Sequence, residues 1–162
     1  MKAVIVAGGK GERLRPYTKF LPKVLMPIGE KTILEILMEQ LIRDGCEKIY
    51  ITLCNDADFI KTFIERRCKY KNKIIFSTEN KPLGNAGHLK LIEKEFNDSL
   101  IVLNGDVISD INFKELYECH KSKNDIATIA IFNESIKFER VVIKVNEDNK
   151  VEDYIEKPSY EL

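Results

Sequence analysis

Four apolar residues, Val4-Ile5-Val6-Ala7, run straight into Gly8, Gly9 and Gly11, then into Arg13, Arg15 and the pair Pro22-Lys23. The apolar run has the residue type of a buried strand. A buried strand that breaks into glycines must reach the rim of a sheet there and turn. Such a turn exposes several backbone N–H groups in a small space, and glycine lets the main chain approach a ligand closely. Three cations along the same segment complete a loop suited to a polyphosphate. A merely solvated basic loop accounts poorly for three glycines at this spacing and has no need of Pro22-Lys23. Two other phosphate loops are excluded by spelling. G-x-x-x-x-G-K-[ST] is absent here, and in G-x-G-x-x-G the third glycine would fall on Leu14, which discounts NAD-type dinucleotide binding.

The rest of the chain alternates strand-like and helix-like segments. Strands are predicted over 2–7, 48–53, 73–77 and 99–103, and helices over 31–44, 56–67, 85–96 and 112–123. The first helix has apolar residues at 33, 34, 37, 38, 41 and 42 and closes at Gly45. Asn55 or Asp56 is the expected cap of the second. Three further strands are predicted over 126–132, 140–145 and 151–155, antiparallel or mixed. Repeated β-α order argues for an α/β fold, a three-layer αβα arrangement with a mostly parallel, Rossmann-like sheet. Ligands of such sheets bind beyond the carboxyl ends of the strands. The segments 8–23, 79–87 and 104–106 should converge there.

The spelling from Gly8 to Lys23 resembles the signature of the sugar-1-phosphate nucleotidylyltransferases, G-G-x-G-x-R-L-x-P-x-T-x-x-x-P-K. Gly8, Gly9, Gly11, Arg13, Leu14, Pro16, Thr18, Pro22 and Lys23 all fall on it. The resemblance continues to Lys31-Thr32, where the family usually has lysine-proline. Glu79-Asn-Lys-Pro-Leu-Gly-Asn-Ala-Gly87 is similar to the family's second nucleotide segment, with Asn85 for threonine and His88 for a small residue. Leu103-Asn-Gly-Asp106 resembles L-x-G-D, and Glu156-Lys-Pro158 resembles E-K-P. Alone, the last three motifs read equally well as ordinary turns; their order behind the first gives them weight.

The resemblance implies the nucleotide-diphospho-sugar transferase type of sheet and a reaction. A sugar 1-phosphate attacks the α-phosphorus of an NTP and releases pyrophosphate, forming an NDP-sugar. Arg13 and Lys23 would be catalytic, holding the triphosphate. Ala7, Gly8, Gly9, Gly11, Glu79 and Gly84 would bind nucleotide. Glu156 and Lys157 would hold the sugar phosphate, and Asp106 would hold Mg²⁺, which prefers hard oxygen ligands. An ionised carboxylate only accepts hydrogen bonds, and guanine offers two adjacent donors, so Glu79 favours GTP. Where the family usually has Y-G-V, this chain has Phe138-Glu-Arg-Val141. Arg140 there would crowd the sugar pocket or read an acidic sugar. Asp110 reads as a turn or capping residue, and His88 and His120 as structural or surface residues.

Composition narrows the partners. Of 162 residues, Lys plus Arg and Asp plus Glu number 26 each, so no global basic field exists to recruit nucleic acid. No apolar stretch approaches the ~20 residues of a membrane span, and the first apolar run is too short for a signal peptide. Cys46, Cys54, Cys68 and Cys119 form no C-x-x-C pair and read as reduced thiols of a cytoplasmic protein. The whole chain, 1–162, is expected to be a nucleotidyltransferase catalytic domain without its usual C-terminal part. It is then expected to bind nucleotide and turn over poorly. A non-catalytic nucleotide-binding or regulatory module is the alternative. Strands beyond 140 without partners leave an edge prone to pair with a second copy, so a homo-oligomer is among the expected states.

Overall fold

The computed structural model describes residues 1–54, 57–79, 84–95, 98–133, 135–137, 141–156 and 159–161. It divides into two compact units, Met1–Ala127 and Thr128–Leu162.

In the first unit, β1 (Lys2–Val6) is followed by three short 3-10 turns and a small antiparallel pair, β2 (Pro27–Ile28) and β3 (Lys31–Thr32). Then come α1 (Ile33–Arg43), β4 (Lys48–Leu53), α2 (Ala57–Arg67), β5 (Ile74–Thr78), α3 (Gly84–Gly87), β6 (Leu100–Asn104) and α4 (Phe113–Lys123). The sheet order is β5-β4-β1-β6, and every pairing is parallel. Side chains alternate across the strands. Ala3, Ile5, Ile49, Ile51 and Leu53 share a core with Leu34, Leu37, Met38 and Leu41 of α1, Ile60 and Ile64 of α2 and Phe113 of α4. Val4 and Tyr50 meet Ile92 and Leu89 in a second cluster. The expected parallel α/β sheet with layers on both faces is therefore present.

Helix α1 starts where its chemistry requires. Thr32 Oγ1 accepts from the Glu35 N–H at 3.2 Å, and the Glu35 carboxylate accepts from the Thr32 N–H at 2.8 Å. This capping box satisfies two otherwise orphaned donors. It also accounts for threonine at 32, since proline has no N–H to give. Thr32→Ala should lower stability by about 1 kcal/mol and Thr32→Ser by much less. Urea unfolding reads both; equal midpoints for Thr32→Ala and wild type would remove the cap from the account. At α4 the cap is Asn112, whose Oδ1 accepts from the N–H groups of Lys114 and Glu115, and not Asp110.

Two expectations are corrected. In place of one helix over 85–96, a single turn, α3, leads into a 3-10 segment, His88–Glu95, broken at Ile92 (φ −121°, ψ 15°). Tertiary contacts override helical periodicity here. Ile92 is buried against the sheet, Lys2 Nζ donates to the Glu95 carbonyl at 2.9 Å, and Tyr50 Oη donates to the Glu95 carboxylate at 2.6 Å. Burial and the Glu95 charge push the Tyr50 hydroxyl up to about 12. Residues 126–132 form no strand, and Ile126, Ile129, Ile131 and Phe132 are exposed. An apolar alternation becomes a strand only with a ladder partner, and none pairs with it among the described residues. The expected caps Asn55 and Asp56 lie outside the described residues.

In the second unit, β8 (Val141–Val145) and β9 (Val151–Glu156) form an antiparallel hairpin. Its turn is closed by Asn146, whose Oδ1 accepts from the N–H groups of Asp148 and Lys150. The strands β7 (Ser135–Lys137) and β10 (Ser159–Glu161) pair antiparallel. Arg140 lies outside the described residues.

Candidate functional site

The carboxyl ends of β1, β4 and β6 are locked side by side. The Ala7 N–H donates to the Thr52 carbonyl at 2.9 Å, and the Gly105 N–H donates to the Val6 carbonyl at 2.8 Å. The Ala7 side chain is buried. The glycine loop leaves from this rim. Gly8 packs against Cys54, and Gly9 is exposed, with nothing within 4 Å of where a Cβ would stand.

Gly11 has φ +61°, and its carbonyl accepts from the Leu14 N–H at 3.0 Å and from Thr18 Oγ1 at 2.9 Å. A Cβ on Gly11 would lie 2.8 Å from Thr18 Cγ2 and 3.2 Å from Lys23 Cβ. Left-handed backbone and crowding together demand glycine. Thr18 thus folds the loop back onto Gly11, and buried Val24 and Leu25 pin its far end. Lys23 stands just before that anchor, and its ammonium is hydrogen-bonded to the Asp106 carboxylate. Each side chain is about a third exposed, at 33% and 29%.

The remaining predicted residues fall as follows. Arg13 is exposed and has no charged partner among the described residues, while Arg15 lies 3.8 Å from Glu12. Glu79 follows β5, and its N–H donates to the Leu53 carbonyl at 2.8 Å, beside the end of β4. Its carboxylate is mostly covered and lies 3.9 Å from Nδ1 of His88. His88 is 2% exposed. Its burial fits the structural role read for His88 from the sequence, where a histidine stands in place of the usual small residue. Gly84 opens α3. Glu156 ends β9 in the second unit, exposed and paired with Val141. Lys157 lies outside the described residues.

No group of three or more His, Cys, Asp or Glu among the described residues could hold a metal by itself. Asp106 offers one hard carboxylate, which is the donor number Mg²⁺ takes when phosphates and water supply the rest. A surface depression of about 530 Å³, lined by Lys31, Glu39, Gln40, Arg43, Lys69 and Tyr70, contains none of the predicted groups. Burial pushes the thiols of Cys46 and Cys68 up. No helix among the described residues is long and apolar enough to cross a membrane.

The family described as nucleotidyl transferase matches residues 2–162. A mannose-1-phosphate guanyltransferase of Aspergillus oryzae is 39% identical over 164 residues, covering 98% of this chain and 45% of that protein. A UTP–glucose-1-phosphate uridylyltransferase of Synechocystis is 32% identical over 177 residues, covering 99% of this chain and 45% of that protein. The crystal structure of HddC from Yersinia pseudotuberculosis superposes with a TM-score of 0.70 at 29% identity, over 96% of this chain and 69% of that one. A second HddC structure, complexed with GMP-PN, gives 0.67 at 26%, over 99% and 72%. The chain spans about 45% of the length of the curated relatives it matches. With its glycine rim, its Lys23–Asp106 pair and a family match over residues 2–162, the chain belongs to the nucleotidyl transferase family.

Proposed function

We propose that the protein carrying this chain transfers a nucleotidyl group from an NTP, with GTP favoured, to a sugar 1-phosphate. The observation that carries the reading is the Lys23–Asp106 pair beneath the glycine loop. A cation and a hard carboxylate at the rim where backbone N–H groups gather suit a metal-bound triphosphate. A phosphate oxygen of the sugar attacks the α-phosphorus; a new P–O bond forms, the α–β bridge breaks, and pyrophosphate leaves with the electron pair. The nucleophile is already anionic, so no general base is required. The protein's task is alignment and charge neutralisation.

Arg13, which is exposed, is assigned to the β- and γ-phosphates and Lys23 to the α-phosphate. Gly9, with open space over its Cα, lets the main chain meet phosphate directly. Asp106 would hold Mg²⁺, which when bound offsets the charge of the phosphate oxygens. Glu156 and Lys157 are assigned to the sugar phosphate on their motif. The guanine preference is supported by Glu79, by the Aspergillus relative's name and by the HddC complex with GMP-PN; the Synechocystis relative's name is that of a uridylyltransferase.

The test is a panel of GTP, UTP, dTTP and ATP against mannose 1-phosphate and glucose 1-phosphate. Pyrophosphate release is scored, with calorimetric binding measured alongside. GTP should bind most tightly and give the largest release. Binding without release under every pairing would leave a nucleotide-binding module. Equal binding of all four nucleotides would overturn the guanine preference, and no binding at all would overturn the site.

A further inference from the structure

Asp106 begins a stretch of chain with little of its own to hold it. The near end is fixed, since Gly105 gives its N–H to the Val6 carbonyl at 2.8 Å. Beyond Asp106, residues 107–111 belong to no helix or strand. Val107 and Ile108 are 54% and 41% exposed, so packing restrains them weakly. The Val107 N–H reaches the Asn104 carbonyl only at 3.4 Å, long for a hydrogen bond.

The far end is tied to α1 by one side chain. Gln40 Nε2 donates to the Ser109 carbonyl at 3.0 Å and to the Ile111 carbonyl at 2.8 Å. Both partners are carbonyl oxygens, which settles the amide orientation, because only its nitrogen carries N–H groups to give. Both of those N–H groups are spent on this segment. Ile111 also packs at the edge of the core, whereas Ser109 is exposed and its carbonyl is anchored by Gln40. One turn further along α1, Asp44 Oδ2 accepts from the Phe113 N–H at 3.0 Å. Leu37 and Leu41, which flank Gln40 on α1, are buried, so the tether starts from a fixed base.

We propose that Gln40 is a positioning residue for Asp106: its carboxamide clamps the chain at 109–111 and so sets where the Asp106 carboxylate stands. The inference rests on Asp106 being the Mg²⁺ ligand. Octahedral Mg²⁺ geometry, with ligands at about 2.0–2.1 Å, tolerates little displacement of a carboxylate. With the clamp, residues 106–108 span two fixed points, the Val6 carbonyl and the Gln40 amide. Without it, the span is longer and looser, and the carboxylate samples more positions. The contacts assigned to the glycine loop do not run through this span. Gln40 thus acts on the metal-dependent part of nucleotide binding and leaves the metal-free part alone.

GTP binding is measured calorimetrically in the protein carrying this chain, in EDTA and across a Mg²⁺ titration, with urea unfolding alongside. The proteins compared are wild type, Asp106→Ala, Gln40→Met, Gln40→Glu and Gln40→Lys. Methionine keeps the length without donors, glutamate keeps the shape but only accepts, and a lysine ammonium can donate to both carbonyls. The Mg²⁺ concentration that half-completes the gain in GTP affinity should rise about tenfold in Gln40→Met and Gln40→Glu, the lower end of what a lost outer-shell partner costs a metal site. Their GTP affinity in EDTA should match wild type, and Gln40→Lys should keep most of the wild-type Mg²⁺ response. A folded Gln40→Met protein with the wild-type Mg²⁺ response overturns the inference. So does an equal loss of affinity with and without Mg²⁺, or a Gln40→Lys protein no better than Gln40→Met. If Gln40→Met does not fold, Gln40→Glu against Gln40→Lys carries the same comparison. A Mg²⁺ response that is the same in wild type and Asp106→Ala overturns the Asp106 reading itself. A response lost in Asp106→Ala yet intact in Gln40→Met and Gln40→Glu overturns the role of Gln40 alone.

Discussion

Lys23→Ala is expected to weaken Mg²⁺–GTP binding roughly ten- to a hundredfold, the loss of one charge-assisted contact of about 1.5–3 kcal/mol. Removing the ammonium also strips Asp106 of its ion-pair partner and leaves its charge facing the phosphates. The sign of the Asp106 effect then depends on metal. With Mg²⁺ present, Asp106→Ala should weaken binding, because a hard ligand is lost. With EDTA, the same substitution should leave GTP binding unchanged or tighter, because a like charge beside the phosphates is gone. Lys23→Ala should weaken binding in both conditions. The double variant should depart from additivity, since the two groups touch. Calorimetry across the four proteins, with and without EDTA, reads all of this. An Asp106→Ala effect of the same sign and size in both conditions would remove the metal role from Asp106.

The fold was legible in the sequence wherever one local pattern had one structural answer. β1 and β6 are apolar runs ended by glycine or polar residues, and β4 and β5 are shorter apolar segments rich in isoleucine. Of the stripe 33, 34, 37, 38, 41 and 42 of α1, Leu34, Leu37, Met38 and Leu41 are buried in the core and Ile33 and Ile42 pack at its edge. The glycine loop was legible because Gly11 must be left-handed and Thr18 must bond to it, so spelling and geometry are one constraint. Ion pairing of Lys23 with Asp106 was not, because 83 residues separate them and only the sheet brings them together.

The misses have a common cause. Residues 85–96 carry helical periodicity, yet Tyr50, Val4 and Lys2, all distant in sequence, bend the segment to their own contacts. Residues 126–132 carry strand periodicity without a neighbour to pair with among those described. In both places the outcome turns on contacts made or missing far from the segment, which no window on the local sequence contains.

Gly105→Ala is expected to be the most damaging single-methyl change, lowering stability by about 2–4 kcal/mol. The motif glycine of Leu103-Asn-Gly-Asp106 is a packing residue. A Cβ there would lie 2.9 Å from the Val6 carbonyl oxygen, 2.9 Å from Val24 Cγ1 and 3.1 Å from Ile5 Cγ2. The first of these is backbone in the central strand and cannot step aside as a flexible side chain would. Overpacking of this kind costs about 1–3 kcal/mol. Relief by moving the turn would lengthen the Gly105 N–H bond to Val6, worth about 1 kcal/mol more. The same movement carries Asp106 away from Lys23, so nucleotide binding should fall with stability. Gly9→Ala is the contrasting case. No atom lies within 4 Å of its added methyl, so the urea midpoint should hold while GTP binding drops, because the methyl occupies the space assigned to phosphate. Urea unfolding and calorimetry on the two variants separate a glycine required by packing from one required by a ligand. A wild-type midpoint in Gly105→Ala, or wild-type GTP binding in Gly9→Ala, would remove the corresponding assignment.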